Sequence, residues 1–331
     1  MPTSRKPSGF HSRSGLCYSH TMFVTITLNP AIDQAITVTG ALALHNVHTV
    51  ETETSSPGGK GVNVAKMLAA NGYPVIAAGL LGDDRLAFYE SALSPIGVAC
   101  RFLTVPHPTR VNLMISDGQG LEMKFNRPGF PTLAFNESTL LAYASSLASP
   151  GAVIIISGSL PALFPPDTYA RLLRHFRALN CLTVADTSGP ALAAALLEKP
   201  NVIKPNREEL ENVLGESLES KEALLRTLHK LTTNHEAVIV SDGARGAWFA
   251  GQGRIWFATS PVVPCLDTTG AGDMLLGQFC ADYFRTRVIT PEIIARAVAA
   301  GAAAVEQRGT PAISLDRVVE LARLVQLKIL T

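Results

Sequence analysis

Short apolar runs alternate with segments of helical periodicity along this 331-residue chain. Continuous apolar runs predict strands buried on both faces, as parallel sheets require, over 22–28, 75–81, 152–157 and 237–241. Between them, apolar residues at helical spacing predict helices, with turn residues at their ends. This alternation of strand and helix predicts an α/β fold with a doubly wound, mostly parallel sheet.

Two other segments have a weaker, alternating pattern and many polar positions. Residues 35–54 carry threonine at many positions, and residues 101–125 contain short strand patterns around the hairpin signal Asp117-Gly118. We therefore predict a small, exposed β-sheet lid, formed from about 34–54 and 101–126, that projects from the main body.

Composition excludes several classes of protein. Hydrophobic residues make up 47% of the chain and charged residues 17%, which is typical of a globular protein. A net charge of +1 argues against a general nucleic-acid or acidic-membrane partner. The uncharged stretch 138–166 is interrupted by serine and proline, so it does not predict a membrane helix. The five cysteines are scattered, which fits a reducing cytoplasm best.

Residues 1–21 differ from the rest of the chain. They carry Arg5, Lys6 and Arg13 with no acid and no apolar core, so a secretory signal is not indicated. A mitochondrial-type leader fits poorly because proline and glycine are frequent there. We predict a disordered N-terminal tail, or an upstream start codon, before a single domain over 22–331.

A glycine-rich loop, 267–273, leads directly into a helix pattern. Free amides at a helix N-terminus attract anions, and Gly270 and Gly272 permit a close approach to them. Asp273 would repel such an anion unless it takes a proton from a hydroxyl while the amides stabilise a transferring phosphoryl group. The alternative is an ordinary glycine-rich turn with Asp273 as a helix-start acid.

Other polar residues also stand at helix or strand ends. The Gly58–Gly61 loop opens a helix but matches neither the P-loop nor the dinucleotide fingerprint, and Lys60 could simply be solvated. Asp33 follows a strand, where it could meet a ligand or cap a turn. Arg110 could bind a phosphate or be a surface arginine.

Asn206 and Glu209 are placed to share one face of a helix start. They could reach a hydrated cation together, or they could form a capping box with no metal.

Several motifs together resemble the phosphofructokinase B group of ribokinase-like sugar kinases, over almost the whole chain from residue 22. The motifs are Asn29–Asp33, Gly58–Asn63, Thr109-Arg110, Ser157–Pro161, Lys204–Glu209, Ser241–Gly246 and Gly270–Asp273. The resemblance implies a ribokinase-like three-layer α/β/α fold with a mostly parallel central sheet and a small β-sheet lid. It also implies ATP-dependent phosphorylation of a sugar phosphate.

The resemblance assigns roles to individual residues. It implies that Asp273 is the catalytic base and that the amides of Gly270, Ala271 and Gly272 form an anion hole. It places the sugar phosphate on Asp33, Gly58, Gly59, Lys60, Asn63, Arg110 and Ser159. It places ATP on Lys204, Asn206, Ser241, Asp242, Gly243, Ala244, Arg245, Gly246 and Gly272. It gives Glu209 an indirect role in organising Mg²⁺ and the phosphates.

The expected reaction is phosphorylation of D-fructose 1-phosphate at its 6-hydroxyl. A kinase acting on fructose 6-phosphate or tagatose 6-phosphate is the alternative within the family, and a non-catalytic sugar-phosphate sensor is the alternative from another class. The resemblance also allows a monovalent cation and implies a homodimer formed through the lid. Two departures concern the sugar phosphate. His48-Thr49-Val50 stands where relatives often have Asn-Arg-Val, so His48 could replace a basic contact, and Met114 stands where members often place a lysine, for which Arg127 could compensate.

Overall fold

The structure is a computed structural model, and it describes residues 21–117, 119–130, 136–310 and 313–330. The tail predicted at 1–21 lies outside these residues except for its last position, and so does Gly118 of the predicted hairpin. The strands are β1 Phe23–Thr27, β2 Ala31–Val38, β3 Val50–Gly58, β4 Val75–Gly82, β5 Val98–Val105, β6 Arg110–Asp117, β7 Glu122–Phe125, β8 Val153–Ser157, β9 Leu182–Asp186, β10 Val202–Ile203, β11 Ala237–Ser241, β12 Gly246–Gly251, β13 Arg254–Thr259 and β14 Leu327–Ile329.

The helices lie between these strands. They are α1 Lys60–Ala70, α2 Leu86–Leu93, α3 Glu137–Leu147, α4 Thr168–Ala178, α5 Gly189–Leu197, α6 Arg207–Leu214, α7 Lys221–Leu231, α8 Ala271–Thr286, α9 Pro291–Val305 and α10 Leu315–Ala322. In the described part of the chain, no helix combines the length and the apolar character needed to span a membrane.

Ten strands of the described chain form the main sheet, in the order β14-β13-β12-β11-β10-β9-β8-β1-β4-β5. Every pairing from β5 to β11 is parallel, and β12, β13 and β14 add antiparallel strands at one edge. This arrangement confirms the predicted mostly parallel sheet.

Apolar residues cover both faces of this sheet. Successive residues of β8 belong to different clusters: Val153 and Ile155 pack with α1, α8 and α9, whereas Ile154 and Ile156 pack with α3, α4 and α7. Because side chains alternate across a strand, an uninterrupted apolar run is needed to fill two cores at once. The result is the three-layer α/β/α architecture that the sequence predicts.

The small sheet has the order β3-β2-β6-β7, and we call it the lid. Strands β2 and β6 are parallel, and β3 and β7 pair antiparallel at the two edges. Residues 101–105 were predicted to belong to the lid, and this is wrong: they lie in β5, parallel to β4 in the main sheet. As an edge strand, β5 is only partly covered, so its sequence has the polar alternation of an exposed strand.

Candidate active site

A cavity of about 700 Å³ lies between the lid and the carboxyl ends of the parallel strands. Its volume is within the range of small-molecule sites, roughly 300–1,000 Å³. Its polar lining combines lid residues with residues from helix starts: Asp33, Arg110, Asn112, Lys60, Asn63, Lys204, Asn206, Glu209 and Asp273. Ligands bind at this edge of open α/β sheets because the strands present loops and helix N-termini there.

Asp273 stands in the first turn of α8, whose N-cap is Gly270 in the left-handed region with φ 79°. The side chain is buried, with a fractional exposure of 5%, yet it borders the cavity. The Nδ2 atom of Asn63, on α1, donates a hydrogen bond to its Oδ2 at 2.9 Å. The structure therefore places a carboxylate at the start of a helix, and Gly270, Ala271 and Gly272 of the same helix start line the cavity with it.

Burial raises the pKa of Asp273 to about 6, and the negative charge of Asp186 adds to this effect. The charges of Lys60 and Lys204 and the hydrogen bond from Asn63 oppose it. A carboxylate with this pKa is mostly ionised at neutral pH and remains a better proton acceptor than an ordinary aspartate.

Asp186 received no role in the sequence analysis, although it lies at the centre of the charged residues. It is the last residue of β9 and is fully buried. Its Oδ1 is 3.2 Å from Lys204 Nζ and 3.6 Å from Lys60 Nζ, and its Oδ2 accepts from Ser157 Oγ at 3.1 Å. Burial alone would raise the pKa of Asp186, but the two lysines lower it below its usual value. The sequence feature that could have identified Asp186 as a site residue is its position as an acid at the end of a buried strand.

Asp33 lies on β2 and enters the cavity from the lid. Asn112, its neighbour on β6, donates to Asp33 Oδ1 at 3.0 Å. A Cβ on Gly58 would lie 2.1 Å from Asp33 Oδ2, so only glycine allows this carboxylate its position. Burial raises the pKa of Asp33, against the Asn112 hydrogen bond and the charges of Lys66 and Arg110. Asn112 belongs to no motif of the sequence and was not predicted as a site residue.

Arg110 borders the cavity, but much of its guanidinium binds main chain. It donates to the carbonyls of Asn29 at 2.9 Å, Arg127 at 2.9 Å and Pro30 at 3.2 Å. Ser159 is exposed and lies outside the cavity lining, where its Oγ accepts from Asn29 Nδ2 at 3.1 Å. The two residues predicted to bind one phosphate thus differ, since only Arg110 reaches the cavity.

The residues predicted to bind the nucleotide divide into two groups. Ser241, Gly243, Ala244 and Gly246 line the cavity with Lys204 and Asn206. Asp242 and Arg245 do not, because Asp242 accepts from Arg245 at 2.6 Å and from Arg207 at 2.7 Å beside an adjoining surface depression. Another part of the cavity lining is apolar and has no motif that could be recognised in the sequence; it comprises Pro261, Val262, Val263, Val298, Ala302 and Val305.

Asn206 and Glu209 form the capping box that the sequence left open. Asn206 Oδ1 accepts from the Glu209 amide at 2.7 Å, and Glu209 Oε2 accepts from the Asn206 amide at 2.8 Å. Glu209 Oε1 is 3.9 Å from Lys60 Nζ, so the carboxylate also faces the cavity. Over the described ranges, no group of three or more His, Cys, Asp or Glu side chains could hold a metal ion.

The lid is bonded to the glycine-rich loop. Lys124, on β7, donates to Asp267 Oδ1 at 2.7 Å and to Thr269 Oγ1 at 3.2 Å. Lys124 is the cross-strand neighbour of Met114, and both stand on the face of the lid that carries Asp33. The side chain of Arg127 does not line the cavity. The loop that holds Asp273 is therefore braced by the lid.

The fold and the site define a ribokinase-like α/β kinase: a doubly wound sheet with a β-lid, and a buried aspartate at a glycine-rich helix start. The model of the pfkB family carbohydrate kinases matches residues 26–316. The chain belongs to that family and is a phosphotransferase.

Named relatives agree with this placement. A 1-phosphofructokinase from Xanthomonas campestris is 34% identical over 264 residues, 78% of this chain and 83% of the relative. A 1-phosphofructokinase from Escherichia coli K12 is 32% identical over 254 residues, 76% of this chain and 81% of the relative. The structure of phosphofructokinase-2 from Escherichia coli in complex with substrates and products superposes with a TM-score of 0.83 at 25% identity, covering 92% and 99% of the two chains.

Proposed function

We propose that this protein transfers the γ-phosphoryl group of ATP to the 6-hydroxyl of D-fructose 1-phosphate, giving D-fructose 1,6-bisphosphate and ADP. One observation carries the proposal. A single cavity joins the Asp273 carboxylate to Asp33 and Arg110 on the lid side and to the Ser241–Gly246 segment on the other side. The relatives named 1-phosphofructokinase support this choice of substrate.

In this proposal Asp273 accepts the proton of the 6-hydroxyl as that oxygen attacks the γ-phosphorus. The bond from phosphorus to the bridging oxygen of ADP breaks, and the phosphoryl group passes to the sugar. Charge that develops on the group is met by the amides at Gly270, Ala271 and Gly272 and by Lys60 and Lys204, whose ammonium groups Asp186 holds beside the cavity.

The sugar phosphate is assigned to the lid side of the cavity. Asp33, oriented by Asn112, is suited to accept hydrogen bonds from sugar hydroxyls, together with the Gly59 backbone, Lys60 and Asn63. Gly58, predicted with them, is not part of the cavity lining and instead leaves room for the Asp33 carboxylate. Arg110 retains N–H groups beyond the three bonded to carbonyls, because a guanidinium has five, and these suit a phosphate. Ser159 would have to move to join them.

The nucleotide is assigned to the opposite side. The apolar wall suits a purine ring, and Lys204, Asn206, Ser241, Gly243, Ala244 and Gly246 supply polar and backbone contacts for ribose and phosphates. Mg²⁺ usually binds through substrate phosphates, waters and one or two carboxylates, and Glu209 with its Oε1 facing Lys60 fits such an indirect role. When bound, the ion would neutralise charge on the phosphates. A monovalent cation stays a prediction.

A structural neighbour favours an alternative substrate for this site. The Escherichia coli protein of similar structure is a phosphofructokinase-2. A 6-phosphofructokinase activity here, or the related use of tagatose 6-phosphate, would place the opposite end of the sugar at Asp273.

We also propose that two copies of the chain pair through the lid. Leu113, Ile115, Met123 and Phe125 lie on the lid face opposite to Asp33, and Phe125 is 49% exposed. Apolar side chains on an exposed sheet face favour association with another surface. We place the reaction in the cytoplasm, in accord with the free cysteines Cys100, Cys181, Cys265 and Cys280.

The first prediction concerns substrate choice. In an assay of ADP release, kcat/KM for fructose 1-phosphate should exceed the values for fructose 6-phosphate and tagatose 6-phosphate by at least ~10-fold, about 1.4 kcal/mol of discrimination. Preference for another of the three sugars would reject the proposed substrate.

The variant Asp273→Asn should bind ATP normally and lower kcat at least ~10²-fold. Near-normal turnover of Asp273→Asn would reject its role as the base.

The second prediction is a pH dependence. Because Asp273 must be ionised and its pKa in the unliganded protein is raised to about 6, kcat/KM should be level above pH 7 and should fall as the pH drops through about 6. Asp186→Asn removes a negative neighbour, so it should move this acid limb to lower pH. Initial rates of ADP release from pH 5 to 8 check both points. An acid limb that Asp186→Asn leaves at the same pH would contradict the proposed effect of the Asp186 charge on Asp273.

The third prediction concerns Arg110→Ala. Loss of a phosphate contact made in the ground state should raise KM for fructose 1-phosphate by ~10-fold or more while kcat changes by less than ~3-fold. Arg101→Ala, at an exposed arginine, is the matched control. If KM stays constant and only the melting temperature falls, Arg110 serves to hold the carbonyls of residues 29, 30 and 127.

The fourth prediction concerns the lid pairing. Phe125→Glu places a charge on the outer lid face and should convert a dimer into a monomer, measured by light scattering after gel filtration. Leu197→Glu is the control, because Leu197 is 78% exposed on α5, away from the lid. Monomeric parent protein, or equal effects of the two changes, would count against pairing through the lid.

A further inference from the structure

Lys66, on α1, is a lysine that neither the motifs nor the proposed reaction uses. It is 6% exposed. Among the residues that the structure describes, its four hydrogen-bond acceptors are neutral oxygens. Its Nζ donates to the Pro57 carbonyl at 3.0 Å, to the Thr310 carbonyl at 3.0 Å and to Thr310 Oγ1 at 3.1 Å, and it lies 3.4 Å from Asn63 Oδ1. Burying an ammonium group is unfavourable, so contacts that keep it there matter to the surrounding structure.

The contact with Asn63 decides which end of that amide faces Asp273. Lys66 follows Asn63 at helical spacing, so both side chains leave the same face of α1. With Oδ1 toward the ammonium, Nδ2 points to Asp273 and donates to its Oδ2 at 2.9 Å. The reversed amide would turn an oxygen lone pair toward the carboxylate, because the two ends of the amide have similar size and opposite hydrogen-bonding roles.

The other contacts of Lys66 join the walls around Asp273. A Cβ on Gly270 would lie 2.7 Å from Thr310 Cγ2, so Thr310 packs directly on the N-cap of α8. Pro57 belongs to lid strand β3 and precedes Gly58, the residue on which Asp33 packs. One ammonium thus joins the lid, α1 and the loop beside the anion hole.

We propose that Lys66 is a positioning residue, whose ammonium orients the Asn63 amide so that it donates to Asp273 and favours the ionised, proton-accepting carboxylate. This inference rests on the proposed role of Asp273 as the base. Lys66 itself touches neither reacting group in this proposal. Its loss is predicted to change the proton affinity of Asp273 and leave nucleotide binding unchanged.

The charges around Lys66 are consistent with a protonated ammonium at neutral pH. Burial lowers the pKa of Lys66 to about 8, and the carboxylates of Asp33 and Asp273 oppose this shift. Those two acids are the charged groups that face it from the lid and from α8.

The test is the pH profile of Lys66→Met. A hydrogen bond to a charged group is worth about 1.5–3 kcal/mol, so the loss of the Asn63 bond to Asp273 should move the acid limb of kcat/KM up by about one pH unit or more. At pH 6 the kcat/KM of the variant should be at least ~5-fold below that of the parent, because a pKa one unit higher leaves about one carboxylate in eleven ionised instead of one in two, whereas KM for ATP should change less than ~2-fold. Lys230→Met, at an exposed lysine on α7, should leave the limb unchanged.

A double variant separates positioning from a general structural effect. If Lys66 acts through Asn63, then adding Lys66→Met to Asn63→Ala should not move the acid limb further. Equal shifts in both backgrounds, or no shift in Lys66→Met, would overturn the inference. If Lys66→Met does not fold, Lys66→Gln is judged by the same criteria, because it is neutral and keeps an N–H donor for a buried carbonyl.

The parent protein tests the proposed function separately. Absence of ADP release with all three hexose phosphates would reject the proposed reaction, whereas an active parent with unaltered limbs in the Lys66 variants would reject only the positioning role.

Discussion

Two carboxylates buried beside one cavity constrain everything around them. Burial raises the cost of ionising both Asp186 and Asp273, and the charge of Asp186 raises it further for Asp273. The structure compensates with Lys60 and Lys204 on Asp186 and with the Asn63 amide on Asp273. The outcome is unequal: the pKa of Asp186 falls, whereas that of Asp273 rises to about 6. Separating two similar acids in this way suits one for holding cations and the other for accepting a proton.

The lid contributes both a wall and a brace to this arrangement. Its inner face carries Asp33 and Asn112 at the cavity. From the same face, Lys124 on the edge strand β7 donates to Asp267, at the start of the glycine-rich loop. Lys66 makes a second connection, from Pro57 on the lid to Thr310 beside Gly270. A kinase must keep water from the phosphoryl group, and a covering sheet bonded to the glycine-rich loop meets that need.

Much of the fold was predictable because its signals are local. The apolar runs of β1, β8 and β11 predict buried parallel strands, and glycines followed by periodic apolar residues predict the starts of α1 and α8. The error at β5 has the same origin, because an edge strand and a lid strand are both covered on only part of their surface. The hydrophobic pattern of a strand shows how much of its surface is buried, and it does not show which strand lies beside it.

The sequence by itself determined the α/β class, the glycine-rich helix starts and the acid at position 273, because each depends on residues adjacent in the chain. Only the tertiary structure decided which residues line the cavity. It brought Asn63 to Asp273 across 210 positions and Asn112 to Asp33 across 79. It turned Asp242 and Arg245 toward each other and away from the cavity. Hydrogen bonds and charges act over a few ångströms of space, and only folding sets which distant residues come that close.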